Sequence, residues 1–241
     1  MSRQSAIPSL SEAAARFAVN RPNQFEGVRQ SLYDFQIYPT AGATQFTFFA
    51  IPQGQGISSH TGNAANVKGL WDTNMETAGS LPNPKAYLAE SIEIIVEPGS
   101  VATANTFTAQ VVFSFVAIPT NQVPISAGAL NDKNLLRQVG ELRFFIGSKA
   151  YLDEAPLGRF PPKTRYDMDV AVATNSATTG AIAAAQGNWD GRPYYLNPPV
   201  FLAPTQNFSV TLNFPVSVAT PSGFNARVGI VLDGFLYRQS Q

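Results

Sequence analysis

His60, in GQGISSHTGN, is the only histidine of this 241-residue chain, and there is no cysteine. Those two counts remove much chemistry at once. Without thiols there is no disulfide, no thiolate nucleophile and no cysteine-held zinc or iron–sulfur centre. A multi-histidine metal centre of the kind built in cupins cannot be assembled from one imidazole. A Ser-His-Asp triad would have to use His60, and no G-x-S-x-G nucleophile elbow accompanies it. We read His60 as a solvated loop residue. Asp167 and Asp169, two apart in YDMDV, share one face of a strand. Such a pair could hold a divalent cation or imitate a D-x-D motif, and the polar outer face of a half-buried strand accounts for it as well. Glu93 and Glu97 alternate with Ile92, Ile94 and Val96, the pattern of an ordinary strand exterior. There is no Walker-type loop, no G-x-G-x-x-G and no basic run interleaved with aromatics. The expectation is no catalytic, cofactor-binding or metal-ligating residue, no cofactor, and no enzyme.

Charge points the same way. Lys+Arg and Asp+Glu balance at 16 each, and charged residues make up only 13%, about half the usual share. A neutral, sparsely charged surface favours association over colloidal solubility. It does not suit electrostatic capture of nucleic acid, which needs clustered positive charge. The local exception is the first 30 residues, where Arg3, Arg16, Arg21 and Arg29 stand against Glu12 and Glu26, a net of +2. That small excess allows only a weak contact with nucleic acid at high local concentration. No apolar run reaches the roughly 20 residues needed to cross a bilayer. The opening MSRQSAIPSLSEAAARFAV lacks an apolar signal core with a cleavage site, so synthesis in a cytoplasm is expected. Asn207-Phe208-Ser209 matches a glycosylation acceptor by accident, since it opens a strand.

These side chains need elements to hold them. Ser9-Leu10-Ser11-Glu12 fits a capping box, and a short helix runs from it to about Ala18, ahead of Pro22. A helix this short is marginal alone and must pack on something, either its own domain or a neighbouring subunit. We therefore separate residues 1–30, an N-terminal arm with a short helix, from a domain spanning 31–241. Beyond the arm the signal is β. Phe208, Val210, Leu212 and Phe214 alternate with polar residues without a break. Phe107, Ala109, Val111, Phe113 and Phe115 share a face in the same way, and Tyr33, Phe35 and Ile37 alternate with Asp34, Gln36 and Tyr38. Further strands are expected at 44–51, 90–97, 141–147, 166–173 and 226–238, about eight in all. Neutral loops at about 52–86 and 174–200 are long enough to be contact-making. Eight strands with long, uneven connections suit a two-sheet jelly roll, and the chain is too short for two such rolls. Asn83-Pro84-Lys85-Ala86-Tyr87-Leu88-Ala89 echoes Asn197-Pro198-Pro199-Val200-Phe201-Leu202-Ala203, either an internal duplication or, in the reading we favour, one local solution used twice, a proline lead-in to a sheet edge.

WDTNMETAGSLPNPKAYLAESIEIIVEP at 71–98, FTAQVVFSFVAIP, GELRFFIGSKAYLDEAPLGRFPP, FLAPTQNFSVTLNFP and VGIVLDGFLYR together resemble a jelly-roll capsid protein of tailless icosahedral bacteriophages. The likeness covers about residues 30–238 and rests on strand order and style. Many such phages that contain membranes use a double jelly roll, and this chain departs from them in length. The resemblance implies an all-β, single eight-stranded jelly-roll sandwich with an N-terminal helical arm. It implies a virion structural protein, assembled in the host cytoplasm as a homo-oligomer with icosahedral symmetry and enclosing the genome. Its partners would be copies of itself, with minor capsid proteins beside them and a weak arm contact to the packaged genome. Whether an internal membrane lies inside is not fixed by it. In that frame Asp72 and Asn74 bond nearby backbone to hold a turn, and Gly79, Pro82 and Pro84 set an extended path into the next strand. The alternative is a virion spike or receptor- or carbohydrate-binding β-sandwich module, with Trp71, Trp189, Tyr194 and Tyr195 as stacking surfaces.

Overall fold

The computed structural model describes residues 25–60, 64–98, 132, 135–162, 170–174, 182–186, 192–220 and 225–239. The fold is mostly β, with two antiparallel sheets in a sandwich-like arrangement. The strands are β1 (Phe25–Arg29), β2 (Leu32–Tyr38), β3 (Gln45–Phe48), β4 (Ala86–Pro98), β5 (Glu141–Ile146), β6 (Lys149–Glu154), β7 (Val170–Thr174), β8 (Ile182–Gln186), β9 (Tyr194–Leu202), β10 (Phe208–Asn213) and β11 (Ala226–Gln239). One sheet runs β1-β11-β4-β9, with β2 also paired to β11, and the other runs β3-β10-β5-β6. Strands β7 and β8 form a separate hairpin.

The alternation expected for β10 is present: Phe208, Val210, Leu212 and Phe214 are all buried in the core. Strand β5 beside it buries Leu142, Phe144 and Ile146 in strict period two. The facing sheet contributes Leu32, Tyr38, Ile92, Ile94, Val96, Leu202, Val228, Ile230 and Leu232 to the same cluster. One end is closed by aromatics, where Tyr38 stacks on Phe46 at 5.2 Å and meets Phe214 edge-on at 5.7 Å. The Tyr38 hydroxyl donates to the Val218 carbonyl at 2.6 Å, so its burial leaves no orphan donor. Truncating Phe208 to alanine should cost about 3–5 kcal/mol, read as a lowered urea midpoint. A change below 1 kcal/mol would contradict its place in the core.

Among the described residues the two sheets contain nine strands, where eight were expected. Six of these are expected strands and β1, β6 and β9 complete the set, with β1 and β2 lying in succession along the 14-residue β11. The break at Gln30–Ser31 faces Asp233 and Gly234, where the register of β11 with β4 shifts past Glu90. There the Gln30 N–H donates to Gly234 O and the Ser31 hydroxyl to Asp233 Oδ1, each at 3.2 Å. The sheet therefore begins within the segment 1–30, whose first 24 residues, including the expected helix, lie outside the described residues. So does the expected strand 107–115, and of 166–173 only 170–173 is described, in the β7–β8 hairpin.

Four strands were not anticipated: β1 in the arm segment, β6, and β8 and β9, which fall in or run out of the stretch 174–200 expected as a loop. Strand β6 follows β5 through the two-residue turn Gly147-Ser148. Gly147 has φ +58°, a left-handed conformation such hairpins need and glycine adopts without a Cβ clash. Strand β9 carries Pro198 and Pro199 and occupies a sheet edge, where missing N–H donors are tolerated. Of the two echoed Asn-Pro segments the first leads into β4, whereas the second lies inside β9 rather than ahead of it, and the two strands pair antiparallel with Tyr87 opposite Leu202.

The phase of β2 differs from expectation. Leu32, Asp34 and Tyr38 are its fully buried positions, with Leu32 and Tyr38 in the core cluster. Phe35 lies on the opposite face, over Gly229, where a Cβ would come within 2.2 Å of its ring. A one-residue shift of phase exchanges the faces of a strand. Here an inward carboxylate decides it.

Candidate functional site

Asp34 organises the long connection between β3 and β4. Its Oδ2 accepts the Phe49 N–H at 2.7 Å, and its Oδ1 accepts from Lys68 Nζ at 2.6 Å. Phe49 has φ +66°, a strained value for a bulky residue, so the turn out of β3 depends on such an external tie. The chain then doubles back. Gly54 N–H donates to Lys68 O at 2.8 Å, Lys68 N–H to Gln55 O at 3.1 Å, and Ser58 N–H to Asn66 O at 2.8 Å. Residues 72–74 next lie along β2, with Phe35 N–H bonded to Asp72 O at 2.7 Å and an antiparallel bridge between Asp34 and Thr73. Asn74 Oδ1 accepts the Tyr33 N–H, and its amide donates to Ser31 O. This covers the free edge of β2, which would otherwise present open backbone groups. Asn74 therefore clamps the loop to a distant strand rather than holding a local turn.

A second network fastens the loop to the outer face of the sheet. Arg227 on β11 is buried; its Nε donates to Ser59 Oγ at 2.8 Å, its Nη1 to Glu97 Oε2 at 2.7 Å and its Nη2 to the Trp71 carbonyl. Its guanidinium lies 3.7 Å from the Phe35 ring centroid, a favourable cation–π stack. Asp72 Oδ1 accepts from both the Ser59 N–H and the Ser59 hydroxyl, and Oδ2 accepts from Gly69 N–H. Burial opposes ionisation of Asp72, but these hydrogen bonds outweigh it and hold the carboxyl below its ordinary value.

Ser59, His60 and Asp72 are the residue types of a nucleophilic triad, brought together in space. They are not arranged as one. The carboxylate sits on the serine itself, the Ser59 hydroxyl is engaged by Asp72 and Arg227, and Ser59 is fully buried. A triad needs an accessible hydroxyl with the imidazole between it and the acid. The trio holds a loop. His60 is nevertheless not the solvated residue expected: its side chain is 26% exposed, Nδ1 is 3.9 Å from Asp72 Oδ1, and its ring centroid is 5.9 Å from that of Trp71.

The other candidates divide. Glu97 is committed to Arg227, and Glu93 is buried rather than solvated. Arg29 pairs with Asp233 at 2.9 Å and Glu90 at 3.4 Å, so its charge is spent within the fold. Arg3, Arg16, Arg21, Asp167, Asp169 and Trp189 lie outside the described residues. Among the described residues no group of three or more His, Cys, Asp or Glu side chains could hold a metal ion. Trp71 and Tyr195 are both exposed, but the Trp71 carbonyl meets Arg227, which pairs with Glu97 of β4, whereas Tyr195 pairs with Ser91, six residues along the same strand. At about 3.4 Å per residue they are too far apart to form one stacking platform. Tyr194 packs on Phe160 at 4.8 Å and donates to Glu154 Oε1 at 3.2 Å.

What the loop leaves open is apolar. Of the nine large hydrophobic side chains exposed among the described residues, five fall in residues 51–71: Ile51, Ile57, Val67, Leu70 at 62% and Trp71 at 77%. Comparison of the chain with family models, curated proteins and solved structures finds no match. The geometry alone carries the functional reading. Sequence reasoning singled out WDTNM but missed Arg227 and Lys68, which appear in the sequence as ordinary strand and loop cations.

Proposed function

We propose that this chain is a capsid protein of the tailless icosahedral bacteriophage kind, a jelly roll that assembles with copies of itself into a shell around a genome. The fold reading is supported by strand order. Setting aside β1, the sheets read β2-β11-β4-β9 and β3-β10-β5-β6. From β2 to β11 every connection among these eight strands changes sheet except the β5–β6 hairpin, which is how a jelly roll winds. Fold does not imply function, so the assembly reading rests on the surface. The observation that carries it is the set of five exposed apolar side chains, Ile51, Ile57, Val67, Leu70 and Trp71, on one loop tied down by the Asp34–Lys68 and Arg227–Glu97 ion pairs, on a chain of zero net charge. Clustered exposed apolar surface marks an interaction site, and a shell subunit covers such a patch with its neighbours, repeating one contact many times.

The experiment is expression of the full chain, followed by sedimentation and electron microscopy. Closed particles of uniform size are expected. A monodisperse monomer at high concentration that binds a glycan array would overturn the shell reading in favour of a receptor-binding module. The arm enters the same scheme as a contact to a neighbouring subunit or to the shell interior. Deleting residues 1–24, which spares β1, should leave a folded product and remove particles. Normal particles from that deletion would sink the arm's role.

A further inference from the structure

His60 stands where the loop latch is assembled. On its own loop it faces Asp72, 3.9 Å away, and the Trp71 ring. From the sheet beneath, the charged groups acting on it are Arg227 on β11 and Glu97 on β4. The Asp72 oxygen nearest to it, Oδ1, is already taken by two donors from Ser59. The Ser59 hydroxyl is in turn the anchor of Arg227 Nε. A charged imidazole could complete a hydrogen bond to Oδ1 only by displacing those donors, and it would place a second positive charge beside a buried guanidinium.

We propose that His60 is an acid trigger for this latch: its protonation draws Asp72 away from Ser59, frees the Ser59–Arg227 tie, and releases residues 58–60 and 64–72, with the exposed Val67, Leu70 and Trp71, from the sheet. Burial, and then the Arg227 charge, hold the His60 imidazole below its ordinary value, while Asp72 and Glu97 pull the other way. The sign follows. The unfolded imidazole binds its proton at a higher pH than the folded one, so the closed loop is fully stabilised above about pH 6.5 and loses stability as pH falls through the folded value. The consequence for assembly rests on the shell reading, whereas the latch belongs to the single chain and is tested on it.

The test uses the full chain carrying Trp189→Phe, so that Trp71 is the sole indole, and compares it with the same chain carrying His60→Gln. Trp71 emission and pH-normalised hydrogen-exchange protection of residues 58–72 are followed from pH 7.5 down to pH 5. The parent should show a shift in Trp71 emission and a several-fold loss of protection confined to 58–72, with a midpoint below 6.5. His60→Gln should hold both signals flat over that range while keeping the parent's far-ultraviolet spectrum at pH 7.5. The same transition persisting in His60→Gln, or no transition in the parent, would overturn the proposal. Both readouts come from soluble chain, so a failure to form particles leaves the latch result standing, and a flat result leaves the shell reading standing.

Discussion

Replacing Asp34 with alanine should cost about 3–5 kcal/mol, the usual consequence of removing one partner of a buried ion pair. Asp34 is fully buried and Lys68 is 3% exposed, with 2.6 Å between Nζ and Oδ1. The substitution leaves the Lys68 ammonium in the interior without its counter-charge. It also leaves the N–H of Phe49, itself in a left-handed conformation, without its acceptor. Burial pushes the Asp34 carboxyl above its ordinary value in spite of Lys68, so ionising it is harder in the fold than in the unfolded chain. Its contribution therefore becomes less favourable as pH rises through the folded value. That sign separates two roles. The pair sets the path of the loop, and burying the carboxylate offsets what its ionisation gains from Lys68. Replacing both partners, as Asp34→Leu with Lys68→Met, should recover most of the loss. Urea unfolding of the single and double variants decides it. A single variant within 1 kcal/mol of the parent would show that the pair is not the tie described.

That pair also explains which parts of the molecule were legible in the sequence. Strand β10 was, because Phe208, Val210, Leu212 and Phe214 point to the core and their neighbours do not. Strand β2 was not. Its apolar residues lie on both faces, and the inward position 34 is filled by a carboxylate whose partner comes 34 residues later. Phe35 is covered from the outer side by Arg227, with Gly229 making room. Hydrophobic periodicity reports residue type, and the face here is set by a long-range partner. Strands β6 and β9 were hidden for a related reason: edge strands tolerate the charges of KAYLDE and the prolines of YYLNPPVFL. At the candidate site, Asp72 and Asn74 were recognised as backbone-bonding residues. The fold-back that brings Ser59, His60 and Trp71 onto Arg227 has no local signature.

The last expectation concerns that fold-back as an assembly surface. On the shell proposed above, changing Leu70 and Trp71 together to aspartate should abolish particle formation while leaving the fold in place. Both side chains are largely exposed, at 62% and 77%, and exposed substitutions usually change stability by less than about 0.5 kcal/mol each. The tie that fastens this turn uses the Trp71 carbonyl, and Tyr33 donates to the Leu70 carbonyl at 2.6 Å. Both acceptors are backbone atoms that survive the change. At a contact between copies the effect is larger. Truncating a tryptophan anchor commonly costs 2 kcal/mol or more, about 30-fold in the affinity of one contact, and a carboxylate in its place must also be desolvated. A shell repeats that loss at every equivalent contact, so a modest penalty at one becomes absence of the assembly. Sedimentation should find a slow species with the parent's urea midpoint. Particles of normal size and yield from the double variant would place the subunit contact elsewhere, and a lowered midpoint would show that Leu70 and Trp71 hold their own domain instead.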